Sequence, residues 1–103
     1  MLQPLDGPAT QGTLSITDAS VVEAKVGASA LKNRKVVTVQ PIDGKIYVYF
    51  GDDTASAPNS TTVGSDGLVV YKNAKESFEA GQQQPIYLLS VSGTVNVKLV
   101  ERA

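Results

Sequence analysis

Cysteine, histidine and tryptophan are absent from this chain of 103 residues, and each absence removes a class of chemistry. Without cysteine there is no disulfide, no thiol nucleophile and no thiolate ligand. Without histidine the usual general base near neutral pH is missing, and with both gone so are the usual zinc and iron ligands. A serine nucleophile would need a lysine base, yet the serines and lysines stand in ordinary turn and surface contexts. Neither a nucleophile elbow nor a glycine-rich phosphate loop occurs. The expectation is a protein that is not an enzyme, with no catalytic residue, no cofactor and no metal site. Asp52 and Asp53, with Asp66 across the same loop, offer carboxylates to calcium, but their spacing fits no EF-hand, and adjacent aspartates after a strand ordinarily cap a turn.

Charge of either sign and long apolar runs are also scarce. Nine basic residues stand against ten acidic ones, for a net charge of −1. That balance argues against a dedicated nucleic-acid binder, which needs many lysines and arginines to displace counterions. No apolar run approaches the ~20 residues that cross a bilayer, so no membrane association is expected. The opening MLQPLDGPATQG lacks the basic start and apolar centre of a signal peptide.

What is present is regular. Residues 1–12 carry Pro4, Pro8, Gly7 and Gly12 and read as an extended N-terminal arm, anchored by Leu2 and Leu5. From Thr13 to Ala103 short apolar segments recur between turn signals. TLSIT (13–17), ASVVEAKV (19–26), VVTVQPI (36–42), KIYVYF (45–50), LVVYK (68–72), ESFEA (76–80), PIYLLSVS (85–92) and TVNVKLV (94–100) read as strands, the last with Val95, Val97 and Leu99 alternating inward. GASALKNR (27–34) reads as a loop, and the polar GDDTASAPNSTTVGSDG (51–67) as the long loop of the domain. About eight short strands and no long helix predict an all-β fold, a single antiparallel β-sandwich of jelly-roll type over residues 13–103.

Two segments raise the question of partners. Asp43-Gly44 favours a type I′ turn, which would pair VVTVQPI with KIYVYF as a hairpin. Ile46, Val48 and Phe50 then share one face, and Tyr47 and Tyr49 the other. A strand apolar on both faces needs a cover on each, so the tyrosines are expected at packing or an interface, with stacking on sugar as the alternative. Lys32, Arg34 and Lys35, with Lys25 close by, form a basic loop suited to an acidic surface, where such charges govern specificity and encounter rate.

The order of signals in VVEAKVGASALKNRKVVTVQ, KIYVYFGDD, DGLVVYKNAKESFEA and IYLLSVSGTVNVKLVE resembles a class of small β-sandwich virion proteins of tailed bacteriophages. In that class a loop ending in "NR" precedes a strand, a "YVYFG"-like strand follows, and a final strand pair closes the chain. The resemblance covers residues 21–100, all but the arm. It implies a structural virion protein, a capsid decoration (cement) protein that binds and stabilises a head shell. A tail, fibre or adaptor module is the alternative, with a carbohydrate-binding module behind it. It also implies the major capsid protein or another virion protein as partner, a homo-oligomer that is often a trimer in this class, and a place in the virion after assembly in the host cytoplasm. The residues expected at the interface are Leu2, Leu5, Lys32, Arg34, Lys35, Tyr47 and Tyr49.

Overall fold

The computed structural model describes residues 7–52 and 56–103. Its strands are β1 (Ala9–Ile16), β2 (Val22–Glu23), β3 (Val36–Pro41), β4 (Ile46–Phe50), β5 (Leu68–Val70), β6 (Glu76–Glu79), β7 (Ile86–Ser90) and β8 (Val95–Arg102), with one helix, α1 (Ser60–Asp66). They form two four-stranded antiparallel sheets, one in the order β1-β8-β3-β6 and the other β2-β7-β4-β5. Every connection crosses between the sheets except β4 to β5. This is the double-sheet jelly roll that the strand spacing predicts.

Period-two burial builds the core. Val95, Val97 and Leu99 of β8 are buried while Asn96 and Lys98 are exposed. Ile46 and Val48 of β4 and Ile86 and Leu88 of β7 meet them from the facing sheet. The interior is almost wholly branched aliphatic, with side chains that pack well on a pleated surface.

Four local expectations are corrected. β3 and β4 are not a hairpin: β3 pairs with β6 and β8, β4 with β5 and β7. Their connection is an arch from one sheet to the other, and among described glycines only Gly93 has positive φ, so Asp43-Gly44 is not a type I′ turn. Asp43 instead accepts from the Asn96 backbone and side-chain amides at 3.2 and 2.8 Å, and a Cβ on Gly44 would stand 3.2 Å from Val95 Cγ2. Similarly, β7 and β8 lie in different sheets. Residues 9–12, assigned to the arm, belong to β1 and pair with β8 from Ala9 opposite Arg102. An edge strand with one face in solvent needs little apolar content, which is why its start is inconspicuous.

The fourth correction is α1, inside the segment read as loop. Helix propensity does not explain it, since its sequence is STTVGSD. Asn59 caps it by accepting from the Thr62 amide at 2.8 Å, and Val63 is fully buried. The helix packs on β4 and β7, because the one connection that stays within a sheet must travel over that sheet's outer face.

One end of the sandwich is locked by a buried ion pair. Arg34 and Glu101 meet at 2.9 Å with side chains 0% and 1% exposed. All five guanidinium hydrogens are used: Nε–H donates to the Ala80 carbonyl, Nη1 to Ala24 and Glu101, and Nη2 to Gly81 and Gln84. Glu101 also accepts from the Val26 and Leu31 amides at 2.9 and 3.0 Å. Three chain segments that share no ladder are thereby tied together: 24–34 after β2, 80–84 after β6, and the end of β8. Burial pushes the Glu101 carboxyl up, but the Leu31 and Val26 amides and the Arg34 guanidinium outweigh it and hold the group below its ordinary value.

Removing one partner of such a pair strands a buried charge. Arg34→Met is expected to lower stability in urea denaturation by about 3–5 kcal/mol, with far less loss for removal of an exposed lysine such as Lys32. Glu101 titrates lower in the folded than in the unfolded chain. Its contribution is therefore complete above the unfolded pKa and is lost as pH falls through the folded one. Glu101→Gln is expected to be less stable at neutral pH and to show a flatter loss of stability through the acid range, measured by the same denaturation series.

Candidate interaction surface

The sequence-predicted interface residues divide into four groups. Leu2 and Leu5 lie outside the described residues, as does Asp53. Arg34 is the buried cation of the clamp, so its expected place on a solvated basic loop does not hold: its hydrogens are all committed inside the protein. Lys32 and Lys35 are exposed on either side of it.

The clamp fixes the loop that carries them. The Leu31 amide is held by Glu101, the Arg34 amide donates to the Leu31 carbonyl at 3.1 Å, and Asn33, at φ 60°, donates its amide to Gln82 Oε1. Asparagine tolerates this left-handed backbone better than most residues. The Lys35 amide then bonds the Arg102 carbonyl at 2.8 Å. At the same end the Gly7 amide bonds the Ala103 carbonyl at 3.0 Å, and the Ala103 amide bonds Pro8. The chain therefore enters β1 beside the basic loop. The exposed lysines and Gly7 share one end of the molecule.

Tyr47 and Tyr49 are half-buried on the outer face of the β2-β7-β4-β5 sheet, opposite Leu89 and Tyr87. This face is covered in part by the protein's own helix. A Cβ on Gly64 of α1 would lie 3.8 Å from Tyr47 Cε2, and one on Gly67 would lie 3.2 Å from Tyr47 Cβ. Farther along, a Cβ on Gly51 would overlap the Tyr87 ring, so the chain leaves β4 in close contact with it. Burial, and secondarily the Glu23 charge, raise the Tyr87 phenol above its usual value, keeping it neutral.

The outer face of the other sheet is polar, with Thr13, Gln11, Lys98 and Thr38 among its side chains. Exposed large apolar groups concentrate instead along one edge: Phe50, Leu68, Val69 and Tyr71. Phe50 stands edge-on to Phe78 of the facing sheet, ring centres 5.3 Å apart at 83°, and Lys45 Nζ lies 6.0 Å from the Tyr71 ring centre. Neither the apolar edge nor the covering helix is apparent from the sequence, although the run Leu68-Val69-Val70-Tyr71 without a charge marks the edge.

Among the described residues no group of three or more histidine, cysteine, aspartate or glutamate side chains could hold a metal ion. No helix of the described residues is long and apolar enough to cross a membrane. What the arrangement offers chemically is a surface: a fixed basic end, a self-covered tyrosine face and an apolar edge.

No family model matches this chain, and no curated protein matches it. Among solved structures, it is similar to a cupin superfamily protein from Desulfitobacterium hafniense, with a TM-score of 0.58 and 10% identity over 99% of this chain and 73% of that one. A likeness at that identity carries the fold alone, and it agrees with the two-sheet jelly roll derived from the strand order.

Proposed function

We propose that this protein is a structural component of a tailed-phage particle, a decoration protein that binds the head shell. The resemblance of residues 21–100 to small virion proteins suggests the class, and the fixed basic end carries the reading. Lys32 and Lys35 stand on a loop whose backbone is held by the buried clamp, beside the point where the chain enters β1. Charges on a pre-ordered loop lose little conformational entropy on contact, so they suit recognition of an acidic surface on a preformed lattice. Leu2 and Leu5 of the N-terminal arm add an apolar anchor to that contact. Association covers surface that a domain of this size leaves unburied. The protein acts by what it holds together, and its chemistry is that of an interface.

Co-sedimentation with empty phage shells tests this. The double variant Lys32→Glu, Lys35→Glu is expected to release the protein from shells while its unfolding midpoint stays unchanged, and rising salt is expected to weaken wild-type binding. Removal of residues 1–6 is expected to weaken binding further. Indifference of the wild-type protein to every particle offered contradicts the proposal, and a copy number in purified virions far below the number of shell subunits moves it to the tail.

A further inference from the structure

On the outer face of the β1-β8-β3-β6 sheet, several polar side chains are already engaged within the protein. Thr38 and Ser77 share a hydrogen bond of 2.8 Å, Gln40 donates to the Asn73 carbonyl at 3.3 Å, and Asn96 donates to Asp43 at 2.8 Å. Gln11, Thr13 and Lys98 differ. All three are exposed, and among the described residues none has a side-chain hydrogen bond or ion pair. They border one open concavity of about 450 Å³, lined by Gln11, Gly12, Thr13, Lys98, Leu99 and Val100.

The ladder explains how this patch is built. Gln11 stands opposite Val100 and Thr13 opposite Lys98, with Gly12 opposite Leu99 between them. Leu99 is buried in the core, and a Cβ on Gly12 would meet Val26 Cγ1 at 3.2 Å, so both point away from the concavity and leave backbone as its floor. The four outward side chains therefore mark corners roughly 5 Å apart across the strands and roughly 7 Å apart along them. Lys98 brings a charge and three donors, Gln11 an amide that donates and accepts, and Thr13 a hydroxyl that does both. Half-buried Val100 adds a small apolar surface.

These corners select by chemistry. A cation finds no carboxylate among them: Glu79 stands on the far edge strand, and Asp43 accepts from Asn96 at one end of the face. A flat apolar molecule finds only Val100. A compact ring that carries hydroxyls and one carboxylate matches all four, and the concavity has the size of a small-molecule site. Arg102 projects from the same face of β8, four residues beyond Lys98 and therefore about 13 Å away, exposed and without an ion pair. We propose that this face binds an acidic polysaccharide through its uronic acid units. One uronate sits in the concavity, its carboxylate on Lys98 and its hydroxyls on Gln11 and Thr13, and Arg102 meets a second carboxylate of the same chain. Because β8 lies between β1 and β3, both cations stand on a rigid frame.

This inference does not rest on the phage assignment. Amide chemical shifts of the full chain, titrated with glucuronate, glucose, acetate and a linear uronate tetrasaccharide, test it. Glucuronate is expected to move the amides of residues 11–13 and 98–100, with a Kd on the order of 1–10 mM in the absence of an aromatic platform. An exposed ion pair is worth up to about fivefold in affinity. Glucose is therefore expected to bind about fivefold more weakly, acetate more weakly still, and the tetrasaccharide about fivefold more tightly. Lys98→Gln is expected to bring glucuronate down to the level of glucose with the unfolding midpoint unchanged. Arg102→Gln is expected to remove the gain of the tetrasaccharide and leave glucuronate binding intact. No response at these amides, acetate or glucose binding as well as glucuronate, or a Lys98→Gln variant that behaves as the wild type overturns the proposal. A tetrasaccharide that binds no more tightly than glucuronate overturns it too, and assigns the site to a free acid.

Discussion

The buried Arg34–Glu101 pair is the constraint on which one whole end of this molecule depends. A sandwich of two sheets is held along its length by apolar burial, but its ends are loops that share no ladder and bury backbone groups. Here a planar cation with five donors gathers carbonyls from two such segments, and a carboxylate at the end of β8 takes the remaining donor and gathers two amides from the loop after β2. Lysine, with three donors on one point, cannot reproduce that fork. Full satisfaction is what makes the arrangement tolerable, since a half-satisfied buried network costs more than an apolar one. Among the described residues no buried side-chain nitrogen or oxygen lacks a partner.

The same constraint shapes the surface. By fixing the loop from Leu31 to Lys35 against the last strand, the clamp turns two flexible lysines into charges on a defined frame. At the outer face of the neighbouring sheet, the fold solves a different problem. Tyr47, Tyr49, Tyr87 and Leu89 would leave a broad apolar area in water, and the chain returns across it as α1 with Val63 buried beneath. Among the described residues, the apolar β5 edge is left without such a cover.

Much of the fold is legible in the residues. The alternation in β8 gives its inward face correctly, Ile46 and Val48 point inward as expected, and the tyrosines of β4 point out. Connectivity is less legible. Asp43-Gly44 marks a reversal, but a reversal within a sheet and an arch between sheets bury the same alternate residues, so local pattern does not separate them. Helix α1 was hidden because its formation depends on a tertiary surface and a single cap, not on propensity. The clamp, by contrast, had a readable signal. The inward positions of β8 run Val95, Val97, Leu99 and then Glu101, and a carboxylate at an inward position demands a cation. The three neighbouring basic residues disguised which of them answers it, because the distinction lies in geometry that only the fold provides.

The central claim is that the clamp, more than the loops' own sequences, orders this end of the molecule. Native-state hydrogen exchange at the Val26 and Leu31 amides, which Glu101 accepts, tests it most directly. Both lie in a segment without helix or strand, so an ordinary loop would release them by local fluctuation. The account predicts that they exchange only with global unfolding, at the same opening free energy as the amides of β8. Exchange as fast as that of the exposed residues Gly27 and Ala28 between them would contradict it.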